Sequence, residues 1–433
     1  MNKLDKFKTA FSELRGFTFL WLTQALSGLG SSMTSFALIL WTYGQEGSAM
    51  SAALLSVCSD APYVLVSVFA GAISDKWNKK ITMLVCDAFA AVSTVITLIL
   101  LMTGNLRVWH LYLLNAVNGL MNSVQQPASD VAVSLLIPQK YYQQAAGMRV
   151  FSNSVINILT PAAASAVMSA FGINAVFAVD LATFFIAFIS LLFFIRIPEK
   201  QSKHRSSESM TALAKEVFAF FKDNKGIFGL IMFLAAINLT ASICNAALPA
   251  LIIPKASDTA YAIFSSVQGI AMLVGSVAAS LVPAPKNRIR AIFISLFISM
   301  STENFMLAFG RSLPVWCIGV TLGWLLIPLM NTNLDVVIRT HTPIEMQGRV
   351  YAARNSFQFF TIPIGYMLGG ALIDKVFEPF MLNIPDNSIL HTLFGIGKGS
   401  GAAFLFLVIA FLGIFTCVFF AFDKNIWALA KDK

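Results

Sequence analysis

Two carboxyl groups sit where a carboxyl group is costly. Asp60 lies about ten residues into one long apolar run and Glu303 about twelve residues into another, so at ~1.5 Å per residue Asp60 is ~15 Å from the start of its run. A bilayer core is about 30 Å thick, which puts both near the midplane of any helix that crosses it. An ionisable group at that depth is a functional candidate by default, and a carboxyl there can take up and release a proton. Pro62, just after Asp60, can free a backbone carbonyl or bend the helix. The plainer alternative is a hydrogen-bonded structural acid. Asp87, Asp180 and Asp374 read as lying nearer span ends, where headgroup contact suffices.

Amides form a second set. Gln24 stands in the first apolar run, Asn118, Asn122 and Gln125 in the fourth, Asn153 and Asn157 in the fifth. The second half offers Asn238 and Asn245, then Gln268, Asn331 and Gln358. Asn118/Asn122 and Asn153/Asn157 are at i, i+4, so each pair shares a helix face. They could line a substrate cavity or act as interhelical hydrogen-bond glue. Arg354 lies a turn into the eleventh run, near Asn355 and Gln358, placed to brace one end of the helix or to balance an acid.

The elements that position these groups are membrane helices. The chain of 433 residues is 57% hydrophobic and only 12% charged, whereas a soluble protein carries about a quarter charged residues. Its apolar residues come in blocks too long and uniform for alternating strands. The spans expected are 17–43, 50–73, 81–103, 108–136, 146–170, 174–196, 225–253, 260–283, 291–310, 313–338, 350–375 and 400–423. With both termini cytoplasmic, nearly all of the 30 Lys and Arg fall on the inner side. Only Arg107, Lys255, Arg311, Lys375 and Lys398 fall outside, and Arg354 within a span. The +9 charge is therefore a topology signal, spread over loops and unlike a nucleic-acid-binding stripe. No cleavable secretion signal is evident at the first span. The five cysteines are scattered and the four histidines fall at span ends or in loops, so neither a metal site nor a cofactor is expected.

The polar segment 197–224 divides the chain into an N-terminal bundle, 1–196, and a C-terminal bundle, 225–433, with a short amphipathic helix possible over Ala212–Phe221. The halves echo each other. Asp130-Val131-Ala132-Val133 with Pro138 matches Asp335-Val336-Val337-Ile338 with Pro343, and Arg149-Val150-Phe151 matches Arg349-Val350-Tyr351. A duplicated six-helix unit of this kind suits alternating access around a midplane site. No Walker-type phosphate loop accompanies it.

Between the second and third spans runs Gly71-Ala-Ile-Ser-Asp75-Lys76-Trp-Asn78-Lys79-Lys80. This decapeptide resembles the G-x-x-x-D-R-x-G-R-[KR] loop of the major facilitator superfamily, with Lys76 for the usual Arg and Asn78 for the usual Gly. Asn tolerates a left-handed conformation better than most residues. The resemblance implies an all-α fold of twelve helices in two pseudo-symmetric six-helix bundles. It also implies a conformational latch made by Gly71, Asp75, Lys79, Lys80, Asp130 and the start of the eleventh span at Arg349 and Arg354. Lys79 would pair with Asp130, and Asp75 would face the eleventh span. The second-half loop, Pro285-Lys286-Asn287-Arg288-Ile289-Arg290, lacks the Gly-x-x-x-Asp core, so one latch is expected. In the superfamily the ninth helix is peripheral, which favours a structural Glu303.

Phe19-Leu20-Trp21 with Gln24, Gly47-Ser48-Ala49, Gly348-Arg349-Val350 and Val376-Phe377-Glu378-Pro379 are similar to the macrolide-efflux branch of the drug:proton antiporters. That resemblance implies a monomeric, multi-pass plasma-membrane exporter of small amphipathic compounds, in contact with protons and membrane lipids and not with nucleic acid. A lipid or lysolipid flippase, or a native-metabolite exporter, would fit the same fold. An embedded enzyme or a sensor is the rival from another class, and the histidines stand in the wrong places for the former.

Overall fold

The computed structural model describes residues 3–198, 210–385 and 387–430, and among them helices make up nearly all regular structure. The long elements are α1 (Lys3–Glu46), α2 (Ala49–Lys76), α3 (Lys79–Met102), α4 (Val108–Leu136), α5 (Tyr142–Phe171) and α6 (Ile173–Ile189), the last continued by a π turn, Ser190–Phe194. After α7 (Met210–Asp223) come α8 (Lys225–Lys255), α9 (Asp258–Leu281), α10 (Arg288–Phe309), α11 (Leu313–Leu325), α12 (Ile327–His341) and α13 (Ile344–Leu372). A π turn, Ile373–Phe377, leads into α14 (Glu378–Leu382), followed by α15 (Ile389–Phe394), α16 (Ser400–Ala421) and α17 (Lys424–Ala428).

Eleven segments among the described residues are long and apolar enough to cross a membrane, with α11 and α12 counted together as Leu313–His341. The remaining long helix is α4, whose run of amides keeps its hydropathy below that of the others. The expected tenth span is thus broken at Leu326. Pro328 opens the second piece, and its missing N–H and ring interrupt the hydrogen-bond ladder there.

The chain forms two compact units. The first takes Met1–Trp41 and Cys58–Arg205, the second Thr42–Val57 and Ser206–Lys433. The end of α1 and the start of α2, Thr42–Val57, fall in the second unit, where Asp374 caps α2. Its carboxylate accepts from the Ser48 hydroxyl at 2.6 Å and from the backbone N–H groups of Ala49 and Met50 at 3.0 and 2.9 Å. A negative charge there satisfies orphan N–H groups and meets the positive end of the helix dipole. Glu378 does the same for α16, accepting from Gly399 and Gly401 N–H at 2.6 and 3.0 Å. Two acids one turn apart therefore fix the starts of two different helices, and Asp374 is not the headgroup contact its sequence position suggests.

The second unit has a dense apolar core, with Ile227, Leu230, Ile231, Phe233, Ile289, Leu296 and Ile338 essentially inaccessible. Gly365 and Gly369 let α13 lie against α8, since a Cβ on either would fall within 2.8 Å of an α8 backbone carbonyl. The helix expected at 212–221 forms as part of α7. It packs Phe220 and Phe221 into this core. The first unit is built differently. One of its apolar clusters gathers Leu20, Met83, Ala128, Ala132, Leu191 and Ile195, and polar side chains of α1 and α4 line its interior.

At Gly119 in α4 a Cβ would strike the Ser59 backbone carbonyl of α2. Backbone cannot yield as a side chain can, so Gly119→Val is expected to destabilise by about 1–3 kcal/mol. Gly147→Ala, in open space on α5, should instead be neutral or stabilise by about 0.5–1 kcal/mol. Thermal unfolding of the purified variants separates the two.

Candidate functional site

Three adjoining cavities open within the first unit, of about 280, 560 and 490 Å³. Gln24 lines all of them. The reason lies in helical periodicity. On α1, Gln24, Ser27, Ser31, Thr34 and Ser35 fall on one face, and on α4 so do Asn115, Asn118, Asn122 and Gln125. Two polar stripes facing each other make an interior that cannot be filled by aliphatic side chains.

The 280 Å³ cavity is polar and holds two acids. Asp180, 4% exposed, accepts from the hydroxyls of Ser31 at 2.9 Å, Thr34 at 3.0 Å and Thr94 at 3.2 Å. Gly30 allows this approach, because a Cβ there would come within 2.9 Å of Asp180 Cα. Asp87 accepts from the amides of Gln24 at 3.4 Å and Gln125 at 2.5 Å. Neither acid is a span-end residue: Asp87 is the ninth residue of α3 and Asp180 the eighth of α6. Their donors lie far away in sequence, which is why position along the chain misled. The hydroxyl stripe of α1, at helical spacing, was the signal available to find them.

The 490 Å³ cavity contains Asp60, with Ser59, Tyr63, Asn122, Gln125 and Gln126 around it. The 560 Å³ cavity is amphipathic. Phe17, Leu20, Trp21, Val133, Ile137 and Ile156 supply apolar wall, while Asp130, Arg149 and Asn153 supply charge and amide. Trp21 is held in place by its indole N–H, which donates to Met148 O at 3.0 Å and Ser152 Oγ at 3.2 Å.

The remaining sequence candidates separate. Glu303 lies in the second unit, 4% exposed, accepting from Trp324 Nε1 at 3.2 Å and pressed against Gly323. It lines none of the three cavities. Asn157 is exposed, and Asn238, Asn245, Gln268 and Asn331 are half-buried outside these cavities. Gln358 is buried and accepts from Arg354 Nε at 3.1 Å.

The latch residues are arranged differently from the expected pairing. Asp130 is joined to Arg149, 19 residues on, instead of Lys79. Lys79 donates to Trp77 O at 3.0 Å, and Lys80 to the carbonyls of Leu192 and Ile195 at 2.9 and 2.8 Å, closing the end of α6. Asn78 is extended, with φ −62° and ψ 119°, and caps α3 by accepting from Ile81 N–H at 3.1 Å. Helix capping, and not left-handed tolerance, is thus what Asn does in place of Gly. The side chains of Asp75 and Arg349, and the surroundings of Gly71, lie outside the described residues.

The second unit repeats the first with the same spacing. Arg354 bonds Asp335 at 2.7 Å, again 19 residues apart. Arg149 therefore corresponds to Arg354, not to Arg349 as the short sequence echo implied. The second-half loop is also braced: Asn287 caps α10 through Arg290 N–H at 2.8 Å, and Arg288 donates to buried Asn333 at 3.0 Å.

The model of the Major Facilitator Superfamily matches residues 20–366. The chain belongs to the major facilitator superfamily. Macrolide efflux protein A of Streptococcus pyogenes is 24% identical over 382 residues, covering 87% of this chain and 92% of that one. Macrolide efflux protein A of Enterococcus faecalis is 25% identical over 325 residues, covering 74% and 99%. The macrolide-efflux resemblance read from short motifs agrees with these relatives. The solved nucleoside transporter NupG shares the fold with a TM-score of 0.71 at 16% identity, covering 94% of this chain and 98% of its own. The all-helical major facilitator fold expected from the sequence is the fold of this membrane protein.

The two repeated ion pairs differ in burial. Arg149 and Asp130 are 45% and 49% exposed, whereas Arg354 is 13% exposed and also serves buried Gln358. Arg149→Ala should therefore cost no more than about 1 kcal/mol. Arg354→Ala should cost about 1–3 kcal/mol, because it strands a buried amide. Melting temperatures of the two variants measured side by side test the ordering.

Proposed function

We propose that this major facilitator is a secondary active exporter of small amphipathic compounds of the macrolide class, working by alternating access and driven by proton antiport. The observation that carries the reading is the amphipathic cavity of about 560 Å³, which meets the Asp60 cavity at Gln24. Its volume is that of a drug-sized site, mostly apolar with a few fixed polar groups. An aromatic wall anchored at Trp21 and an ionic pair at Asp130–Arg149 suit a ligand with a large apolar body and a charged or polar end. The names of the two macrolide efflux relatives support the same class of cargo.

In this reading the rocking bodies are the six-helix halves 1–196 and 225–433, joined by the 197–224 linker. The chain is a plasma-membrane monomer with both termini cytoplasmic, and it catalyses no covalent chemistry. The Asp130–Arg149 and Asp335–Arg354 pairs, with Asp75 and Lys79, set which side the cavity opens to. Asp60 exchanges the proton, since it lines the cavity that meets the substrate groove at Gln24. Glu303, with its indole donor and its place outside the cavities, is structural.

Reconstituted proteoliposomes with an imposed pH gradient provide the test. The native protein is expected to accumulate a macrolide or a fluorescent amphipathic cation and to move protons in step. Asp60→Asn should bring the proton-driven accumulation down to that of empty vesicles while retaining binding. Trp21→Ala should weaken binding without uncoupling. Coupled transport unchanged in Asp60→Asn removes that acid from the proton path. Movement of a lysolipid analogue with no drug flux would assign the flippase reading instead.

A further inference from the structure

Between α13 and α16 the chain is apolar where a solvent loop would be charged. Residues 379–397 carry one carboxylate, Asp386, and no Lys or Arg. They form no long helix either. α14 and α15 are five and six residues long, and Gly395, Gly397 and Gly399 all have positive φ, so the chain folds back sharply before α16. The result is a strap held against the ends of its neighbours. Phe394 stacks on Phe309 of α10 with ring centroids 5.7 Å apart and meets Phe404 of α16 at 5.1 Å.

Side chains serve the backbone of this strap to an extent that a loop in water does not need. Lys255, at the end of α8, donates to Phe394 O at 2.5 Å, and Arg311 donates to Thr392 O. His391 is buried between two carbonyls, with Nδ1 3.1 Å from Gly395 O and Nε2 3.2 Å from Ile384 O. Either tautomer therefore donates to one of them. At the far end Glu378 accepts from the Gly399 and Gly401 N–H groups. Water would satisfy such groups in a loop that faced it. Lipid would not, and an unsatisfied backbone group is costly there. The strap thus meets the requirement that an apolar surrounding sets.

The side chains that the strap leaves uncovered are apolar. Ile389 and Ile396 are 77% and 63% exposed, and Phe380, Leu382 and Leu393 are exposed as well. Ile389 and Leu393, at i and i+4, share one face of α15. An exposed patch of this kind marks an interaction surface. Its neighbours name the occupant. From Phe394 an aromatic seam runs through Phe309 and Phe305 to Phe411, with successive ring centroids 5.7, 6.3 and 5.6 Å apart. Phe411 lies about 16 Å along α16 from Ser400, well inside a segment long and apolar enough to cross a membrane. Phe309 and Phe411 are themselves exposed, so the apolar face of the strap continues the lipid-facing side of α10 and α16.

We propose that residues 378–399 form a strap seated in the membrane interface, with Phe380, Leu382, Ile389, Leu393 and Ile396 in the acyl margin of one leaflet. Ile, Leu and Phe, with no Trp or Tyr in the segment, suit the acyl side of that boundary better than the headgroup level. Lys375, one turn before the strap, and Lys398, at its end, are exposed and extend their ammonium groups to the phosphates of the same lipids. Asp374 lies one turn before Glu378, so seating the strap fixes the depth of the turn that caps both α2 and α16. That the leaflet is the outer one rests on the exporter reading. The insertion itself does not.

Photolabelling of the full native chain in phospholipid vesicles tests this with two probes and needs no variant. One probe is a phosphatidylcholine with a diazirine on its acyl chain, the other a small water-soluble diazirine. Mass spectrometry locates the labelled peptides. Residues 379–397 are expected to take the lipid label to a degree comparable with α10 and α16, and little of the aqueous one. Labelling chiefly by the aqueous probe places the strap in solvent and overturns the proposal. Labelling by neither shows the face covered by protein, a second copy included, and overturns it too. Ile389→Asp with Leu393→Asp should cut the lipid label on the strap severalfold while α10 and α16 keep theirs. An unchanged strap label in that variant overturns the assignment of the face. With the lipid probe confined to one leaflet of sealed right-side-out vesicles, labelling from the inner leaflet alone would keep the insertion and remove the exporter topology.

Discussion

A carboxylate inside a membrane-spanning helix must find its donors within the protein, because lipid offers none. This constraint organises the molecule. Asp180 draws Ser31, Thr34 and Thr94 from two other helices, and the close approach at Gly30 follows. Asp374 and Glu378 draw the N-termini of α2 and α16. In each case the acid is the fixed point around which distant segments of chain are assembled.

The two units answer the constraint in different ways. The second unit buries aliphatic and aromatic side chains at nearly full occlusion, and among its acids Asp374 and Glu378 cap helices while Glu303 is sealed against an indole. The first unit faces two polar helix stripes toward each other and keeps space between them. A packed interior transmits force as a rigid body, whereas a polar, spacious one can exchange water and ions. The two units thus differ in their interiors, while an Asp–Arg pair at 19-residue spacing occurs in both.

Much of this was legible in residue order. Long apolar blocks imply membrane helices, and the decapeptide at 71–80 with the repeated Asp and Pro positions implies the superfamily and its duplication. The amides of α4 were legible too, since i, i+4 spacing puts Asn118 and Asn122 on one face, and both line the polar cavity. Partner choice was less so. A basic residue near Asp130 is easily matched to Lys79 from motif spacing, but Arg149 reaches it across the turn between α4 and α5. Likewise the short echo around Arg349 selects the wrong arginine, because the repeat is held by side-chain geometry and Arg354 supplies it.

By itself the sequence determined what each helix must be: its length, its apolar sides and its polar face. Those properties follow from the 3.6-residue repeat and the cost of exposing charge to lipid, both local in the chain. Only the tertiary structure decided which polar faces meet. Asp87 and Asp180 change from span-end residues to the walls of one cavity because α1, α3, α4 and α6 pack around a common interior. The hydroxyl donors to Asp180 from α1 stand 149 and 146 residues away in the chain, a pairing set by packing that no local pattern encodes.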